Sequence, residues 1–567
     1  MSIDITIRIG GEAGQGIQTA GHLLALVCQE AGLYILATND FESRIRGGHS
    51  FFQIRISSKP LRAPHHKLHL LVALNQETYD LHQKDLNSGG LVVMDKKKGS
   101  ADKKILTVPF GDLAKEAGGK IFLNTVAAGV CLALLGAPVE ICQNVLAKQF
   151  REKGQDIVEK NYRAVELGYQ GVKDIAFEWA FKWKPKTPKG AIIDGSKAIA
   201  LGALAGDCRL AAFYPMSPAT GIMAHLSSFS DKFPLVVEQA EDEIAAVNMI
   251  IGGAFAGARA MTATSGGGFC LMTEGLGLAG MTETPIVIVN AQRPGPATGL
   301  PTRTAQGDLH FVIRASQDEF PRFVFSPGTP YEAFEITSRA FHLSEKYQVP
   351  SIILIDQYLA DSLFIMRNQL NAPANIERFI VKDEDIEDPR NYKRFMITPS
   401  GISPRALPCS GKALVVVSSD EHSEDGHMSE AIDDRTNMVE KRNAKVPRMI
   451  KEMNPPQKYH DEAEVLLVGW GSTKGAIREA VDLLRQEGKH VGCLNFRDLW
   501  PLPSDKVKAA LHKVKRFLMV EQNSTAQFGQ LIQEQTGLAH SGAILKYDGR
   551  PICPNDIVED FKQFERK

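Results

Sequence analysis

No two of the eight cysteines in this 567-residue chain are spaced as C-x-x-C, and none has a histidine in ligand-like register. Zinc and iron–sulfur sites need several thiolates converging on one point. The scatter of Cys28, Cys131, Cys142, Cys208, Cys270, Cys409, Cys493 and Cys553 therefore predicts reduced thiols in cores and no metal site in this chain. An excess of either charge is missing too. Lys+Arg number 65 against 66 Asp+Glu, a balance that offers nothing to nucleic acid or an anionic membrane. The N-terminal "MSIDITIRIGGEAGQG" lacks a basic segment followed by an apolar one, so no signal peptide is read there. Glycine or polar residues break every apolar helical run before it reaches membrane-spanning length. The expectation is a soluble, cytoplasmic protein with no short repeat and no low-complexity tract.

What is present is α/β patterning. Residues 1–182 read as one α/β unit. The strand "IDITIRI" runs through "GGEAGQG" into "IQTAGHLLALVCQEAG", whose apolar residues recur at helical spacing. Strands "LHLLVAL" and "GGLVVMD" follow, then helices around "TVAAGVCLALLG" and "ICQNVLAKQF". Residues 183–190, within "KWKPKTPKG", have no apolar period and read as a linker. A second α/β domain is assigned to 191–364, with buried strands "RAMTATS", "PIVIVNAQ" and "PSIILID" alternating with helices. The charged, proline-bearing stretch 365–461 reads as an extended connection with an exposed helix. A third α/β domain occupies 462–567.

Four segments carry candidate chemistry. "GGEAGQG" opens a helix directly after a strand, so Gly14 and Gly16 form either a tight turn or a phosphate cradle made of backbone amides. Its G-x-x-G-x-G spacing is not the dinucleotide fingerprint. "FESRIRGGHSFFQIRIS" sets Arg44, Arg46 and His49 around a glycine pair. That is either a solvated basic hairpin or a bidentate anion holder. "FYPMSPATG" places Ser217 between two prolines at a strand's end, where open α/β sheets bind ligands. The alternative there is a helix start capped by Ser217 or Thr220.

The fourth segment, "EQAEDEIAAVNMIIGGAFAGARAMTATSGGG", raises the sharpest question. A cluster of acids leads into a helix apolar on every side, a pattern that normally means burial. Either these acids only complement the helix dipole, or one carboxylate points inward. Thiamine diphosphate enzymes require the second arrangement. Their aminopyrimidine ring is activated by a carboxylate that shares a proton with it near neutral pH, and burial raises a carboxyl pKa in that direction. The glycines after Thr264 and Ser265, beginning at Gly266, would let backbone approach a flat ring.

Taken together these segments resemble a known family. "GGEAGQGIQTAGHLLA" with "RIRGGHS" looks like the γ domain of the 2-oxoacid:ferredoxin oxidoreductases. "YPMSPAT", the acid-led helix and "QRPGPATGLPT" look like the α subunit, with its thiamine-pyrimidine-binding, transketolase-like domain. "VEQNSTAQFGQL" resembles the transketolase-C-like domain. The fused γ–α order, with "GISPRALP" and "SSDEHSEDGHMSE", is most similar to the α subunit of 2-oxoglutarate:ferredoxin oxidoreductase. The resemblance implies that Glu243 activates thiamine diphosphate, with Thr264, Ser265 and Gly266 at the cofactor. Ser217 stands where pyruvate-using relatives carry a threonine. Arg293 matches the arginine near the substrate carboxylate, and Arg303 is a second candidate. Gly14, Gly16, Arg44 and Arg46 are candidates for holding coenzyme A or a subunit contact.

The implied reaction is oxidative decarboxylation of 2-oxoglutarate with coenzyme A, giving succinyl-CoA, carbon dioxide and reduced ferredoxin. No G-D-G segment of the kind that holds the diphosphate and Mg²⁺ occurs in the chain. The resemblance therefore implies a β subunit that brings that half-site and a [4Fe–4S] cluster, in an (αβ)₂ heterotetramer. Pyruvate or a branched-chain 2-oxoacid as substrate remains open. So do a transketolase-like or dehydrogenase-type enzyme and a non-catalytic α/β assembly or nucleotide-binding protein.

Overall fold

The structure is a computed structural model that describes residues 4–12, 14–43, 47–95, 105–175, 183, 190–386, 388–512 and 514–566. Arg44, Arg46 and nearly all of the expected linker lie outside them. Three sheets are distributed over two compact units. The first unit comprises 1–194, 361–369 and 553–555, and the second contains the rest.

The strand Asp4–Glu12 shows how sequence builds the first unit. Ile5, Ile7 and Ile9 alternate onto one face and join a core with Leu23, Leu24 and Val27 of the helix Ile17–Glu30. Thr6 and Arg8 take the other face. There the Arg8 guanidinium bonds Asp85 at 2.6 Å and Gln53 at 2.7 Å, as a buried charge must. His49 pairs in register with Glu12, is buried, and its Nε2 lies 2.7 Å from Nε2 of His82. It therefore does not sit on a solvated hairpin. Among the described residues the sheet has eight strands. Two of them, Ala191–Ile193 and Leu363–Met366, pair with each other and extend this sheet. Sequence assigns the first to the start of the second domain, and the other straddles that domain's boundary with the connection at 364/365. Their hydrogen-bond partners lie at its edge, a placement that local pattern cannot reveal.

In the second unit, the parallel strands Phe323–Phe325, Ser351–Asp356, Val287–Gln292, Arg259–Thr264, Cys208–Phe213 and Val236–Gln239 lie in that order. Asp498–Trp500, from the C-terminal region, adds antiparallel at one edge. A five-stranded sheet follows in the order Gln457–Tyr459, Val491–Phe496, Val465–Trp470, Arg516–Glu521, Gly542–Leu545. The two sheets share one apolar core, in which Ile288 and Leu354 join Val468, Trp470 and Phe528.

The connection is held by buried ion pairs. Arg259, Arg378 and Arg405 converge on Glu345, while Lys441 and Lys445 converge on Glu283. Met438, Lys441 and Arg442 are buried, so the helix Ile432–Asn443 is solvated on only part of its surface. Cys270 and Cys409 are exposed and the other six thiols are buried. Among the described residues no single helix is long and apolar enough to cross a membrane.

Candidate active site

The acids at the head of the apolar helix divide the two roles between them. Asp242 is the N-cap of the helix Glu243–Phe255, and its Oδ1 accepts from the Ala245 amide at 2.7 Å. That satisfies an orphan donor of the first turn. Glu243, the next residue, turns inward and is 2% exposed. Its Oε1 is buried with no hydrogen-bond partner among the described residues. Burial first, and the neighbouring Asp242 charge second, push this carboxyl above its ordinary range. A buried polar atom left in that state costs stability and marks a place where a hydrogen-bonding partner is to arrive.

The strand Arg259–Thr264 and the glycine run build the wall opposite. A Cβ at Gly268 would stand 2.1 Å from Oγ1 of Thr264 and 2.4 Å from Oε1 of Glu243. The glycine at 268 thus makes room for the carboxylate itself. Thr264 is buried, and its hydroxyl points to the Met216 sulfur at 3.9 Å. Ser265 is the N-cap of the helix Gly266–Leu271, makes no side-chain cap bond, and has a buried Oγ without a partner. Gly268→Ala is expected to lower turnover at least about tenfold and to destabilise by about 1–3 kcal/mol, since β-branched Thr264 has little rotamer freedom to yield. Turnover and denaturation of that variant check it, and wild-type values for both would show that the close contact is dispensable.

Met216 leads to Ser217, whose carbonyl accepts from Nη1 of Arg293 at 2.7 Å. Neither Ser217 nor Thr220 caps the following helix. The helix Thr220–Phe229 has Ala219 at its N-cap and no side-chain cap bond. Arg293 directly follows the strand Val287–Gln292, and its Nε is buried without a partner. Sequence reasoning missed Asp308. Its Oδ2 accepts from Asn290 at 3.1 Å and lies 2.5 Å from where a Cβ at Gly266 would stand. Gly307 beside it was the only local signal. Arg303 sits elsewhere on the same loop, where its amide donates to the Leu300 carbonyl at 3.1 Å and a Cβ at Gly549 would stand 3.2 Å from Cβ of Arg303. In the first unit, Gly14 and Gly16 have φ of 95° and 71°, the left-handed conformation that favours glycine. Gly16 also caps the helix Ile17–Glu30, with no side chain on the free amides.

One wall of the site is open. The helix that sequence reads as fully buried leaves Ile244 50% and Met249 41% exposed, and nearby Leu271 is 51% exposed. Among the described residues these three apolar side chains remain uncovered.

A buried, unpartnered glutamate at the head of an apolar helix, facing a glycine cradle at the end of a parallel strand, belongs to a transketolase-like thiamine diphosphate-binding domain. Residues 201–441 match the family profile described as pyruvate flavodoxin/ferredoxin oxidoreductase, thiamine diphosphate-binding. Residues 6–171 match pyruvate ferredoxin/flavodoxin oxidoreductase, and 463–557 match pyruvate:ferredoxin oxidoreductase core domain II. The chain belongs to the 2-oxoacid:ferredoxin oxidoreductase α-subunit family. It is 34% identical to the 2-oxoacid:ferredoxin oxidoreductase subunit alpha of Sulfolobus sp, over 97% of this chain and 95% of that one. It is 30% identical to the 2-oxoglutarate synthase subunit KorA of Methanothermobacter thermautotrophicus, over 66% of this chain and 98% of the relative. Among solved structures it resembles 2-oxoglutarate:ferredoxin oxidoreductase from Magnetococcus marinus, whose structure holds 2-oxoglutarate, coenzyme A and succinyl-CoA. That match has a TM-score of 0.91 and 30% identity, and covers 99% of each chain.

Proposed function

We propose that this chain is the fused γ–α subunit of an enzyme that oxidatively decarboxylates 2-oxoglutarate with coenzyme A and passes the electrons to ferredoxin. The observation that carries the reading is the buried Oε1 of Glu243, which has no hydrogen-bond partner among the described residues and lies against Gly268. Bound thiamine diphosphate supplies the carbon nucleophile that makes decarboxylation of a 2-oxoacid possible. Glu243 holds a proton at Oε1 for the aminopyrimidine ring, and its raised pKa keeps that proton available closer to neutral pH. Thr264, Ser265 and Gly266 line the same end of the strand. Arg293, steadied by the Ser217 carbonyl, receives the carboxylate common to all 2-oxoacids. Arg303 is retained as a second, more distant candidate.

A β subunit completes the site in an (αβ)₂ assembly and brings the diphosphate–Mg²⁺ half-site and a [4Fe–4S] cluster. Two features support this partner. The chain contains no G-D-G segment, and the exposed Ile244, Met249 and Leu271 beside Glu243 form an apolar surface suited to an interface. For coenzyme A, the uncapped amides at Gly16, the turn at Gly14, and Arg44 with Arg46 are this chain's candidates. The cytoplasm is the compartment that fits ferredoxin-linked chemistry.

The substrate distinguishes this reading from its relatives. 2-Oxoglutarate carries a second carboxylate, and a site built with a cation for it leaves that cation unpaired when pyruvate binds. The assembled enzyme is expected to prefer 2-oxoglutarate by at least about tenfold in kcat/KM. Arg293→Ala is expected to weaken activity on both acids, because both present the carboxylate it receives. Viologen reduction with 2-oxoglutarate, pyruvate and a branched-chain 2-oxoacid, using wild type and Arg293→Ala, tests this. Preference for another acid would remove 2-oxoglutarate, and an unaffected variant would remove Arg293 from the site.

A further inference from the structure

Asp308 takes no part in the reading above, yet three sets of contacts place it against Gly266 and the strand that leads to Arg293. Asn290, fully buried on the strand Val287–Gln292 that leads to Arg293, donates to Oδ2 of Asp308 at 3.1 Å. The Asp308 amide donates to Oε1 of Gln292 at 3.1 Å. On the other side the carboxylate lies over Gly266, where any Cβ would collide with it at 2.5 Å. The loop that carries it is pinned from behind by the third sheet. Gln306 donates to the Trp470 carbonyl at 2.9 Å and accepts from the Gln522 amide at 3.0 Å, while its own amide donates to the Gln522 carbonyl at 2.8 Å. Asn523 adds a bond to the Gln306 carbonyl at 3.1 Å. A carboxylate built in this way is held in place from both sheets.

We propose that Asp308 is a proton-linked positioning residue for substrate binding, taking up one proton when a 2-oxoacid carboxylate docks on Arg293. The proposal rests on the reading of Arg293 as the carboxylate receiver. Among the described residues, the titratable or charged groups that act on Asp308 are Arg293, next after the strand Val287–Gln292, and Cys270 on the helix Gly266–Leu271. Asn290 and Gln292 are neutral. Without substrate, burial holds the Asp308 carboxyl above its ordinary range, while the Asn290 hydrogen bond and then the Arg293 charge favour the ionised form. An arriving carboxylate neutralises that help and adds a like charge. Asp308 then binds a proton from solvent, and no other bond changes. Ionised Asp308 therefore opposes substrate, and protonated Asp308 does not.

The sign of the test follows. KM for 2-oxoglutarate in the assembled wild-type enzyme should rise with pH above the Asp308 pKa, by up to tenfold per pH unit. Asp308→Asn mimics the protonated form, so its KM should be flat with pH and lower than wild type throughout the range where wild-type KM rises. KM for coenzyme A should keep its wild-type pH profile. A role in loop structure alone would raise KM at every pH and leave its slope intact. That result, or an Asn variant with the wild-type slope, overturns the proposal. Direct proton uptake on adding 2-oxoglutarate under weak buffering gives a second measurement, expected to be about one proton in wild type and absent in Asp308→Asn. Equal uptake in both would also overturn it. Arg293→Ala, measured alongside, separates the two levels. A raised KM there with an unchanged Asp308→Asn slope sinks only this proposal, whereas an unaltered Arg293→Ala enzyme sinks the carboxylate reading as well.

Discussion

Glu243→Gln is expected to abolish 2-oxoacid-dependent viologen reduction, by roughly 10²–10⁴-fold, while the complex still assembles. Glutamine keeps the volume of the side chain but holds no transferable proton at the position of Oε1. The stability of the isolated chain should move the other way. A carboxyl whose folded pKa is raised penalises the native state at pH values above that pKa, because ionisation is easier in the unfolded chain. Glutamine removes the penalty, so the isolated variant should resist denaturant at least as well as wild type at pH 8. Activity lost together with stability would point to a damaged fold, and retained turnover would reduce Glu243 to a charge at a helix end. The contrast between the two measurements is what marks a residue whose placement serves chemistry at some cost to the fold.

The second large effect lies away from the site. Glu283→Ala is expected to cost about 3–5 kcal/mol of stability, measured as a shift in the denaturation of the second unit. Glu283 is 1% exposed and bonds both Lys441 and Lys445, whose side chains are fully buried. Removing the carboxylate strands two ammonium groups in an apolar interior. Burial pushes the Glu283 carboxyl up, but Lys441, Lys445 and Arg394 outweigh it and hold the group well below the usual carboxylate range. Its contribution is fully present above the unfolded value of 4.5 and falls away as the pH drops below it toward the folded pKa. Acid denaturation of wild type should therefore begin near that pH and be less steep in the alanine variant. Replacing all three residues by apolar ones of similar size should recover much of the loss. An alanine variant as stable as wild type would mean that water reaches the lysines.

These two carboxylates show where sequence reasoning succeeds and where it stops. Glu243 is legible because its surroundings are local. An acid heading an uncharged helix, followed by a strand and three glycines, already demands an explanation, and the resemblance names one. Even so, the residues alone left open whether these acids only complement the helix dipole or one of them points inward. Glu283, in "MTETPIV", gives no warning at all. Its partners are more than 150 residues away in a stretch that reads as a solvated connection. Asp308 is invisible for the same reason, since its meaning comes from Asn290, Arg293 and Gly266, on other elements of the sheet.

The sequence by itself determined the α/β class, the inward-facing apolar periods, the glycine turns and the family, because each depends on residues a few positions apart or on ordered motifs. Tertiary structure decided which acid caps and which is buried and unpartnered. It set Ser217 against Arg293 and Arg303 beside Gly549, and it lent two strands from the second region to the first sheet. It also left one face of an all-apolar helix exposed. Those outcomes depend on which surfaces meet, and on which polar atoms find partners when they do, a sum over distant residues that no local pattern encodes.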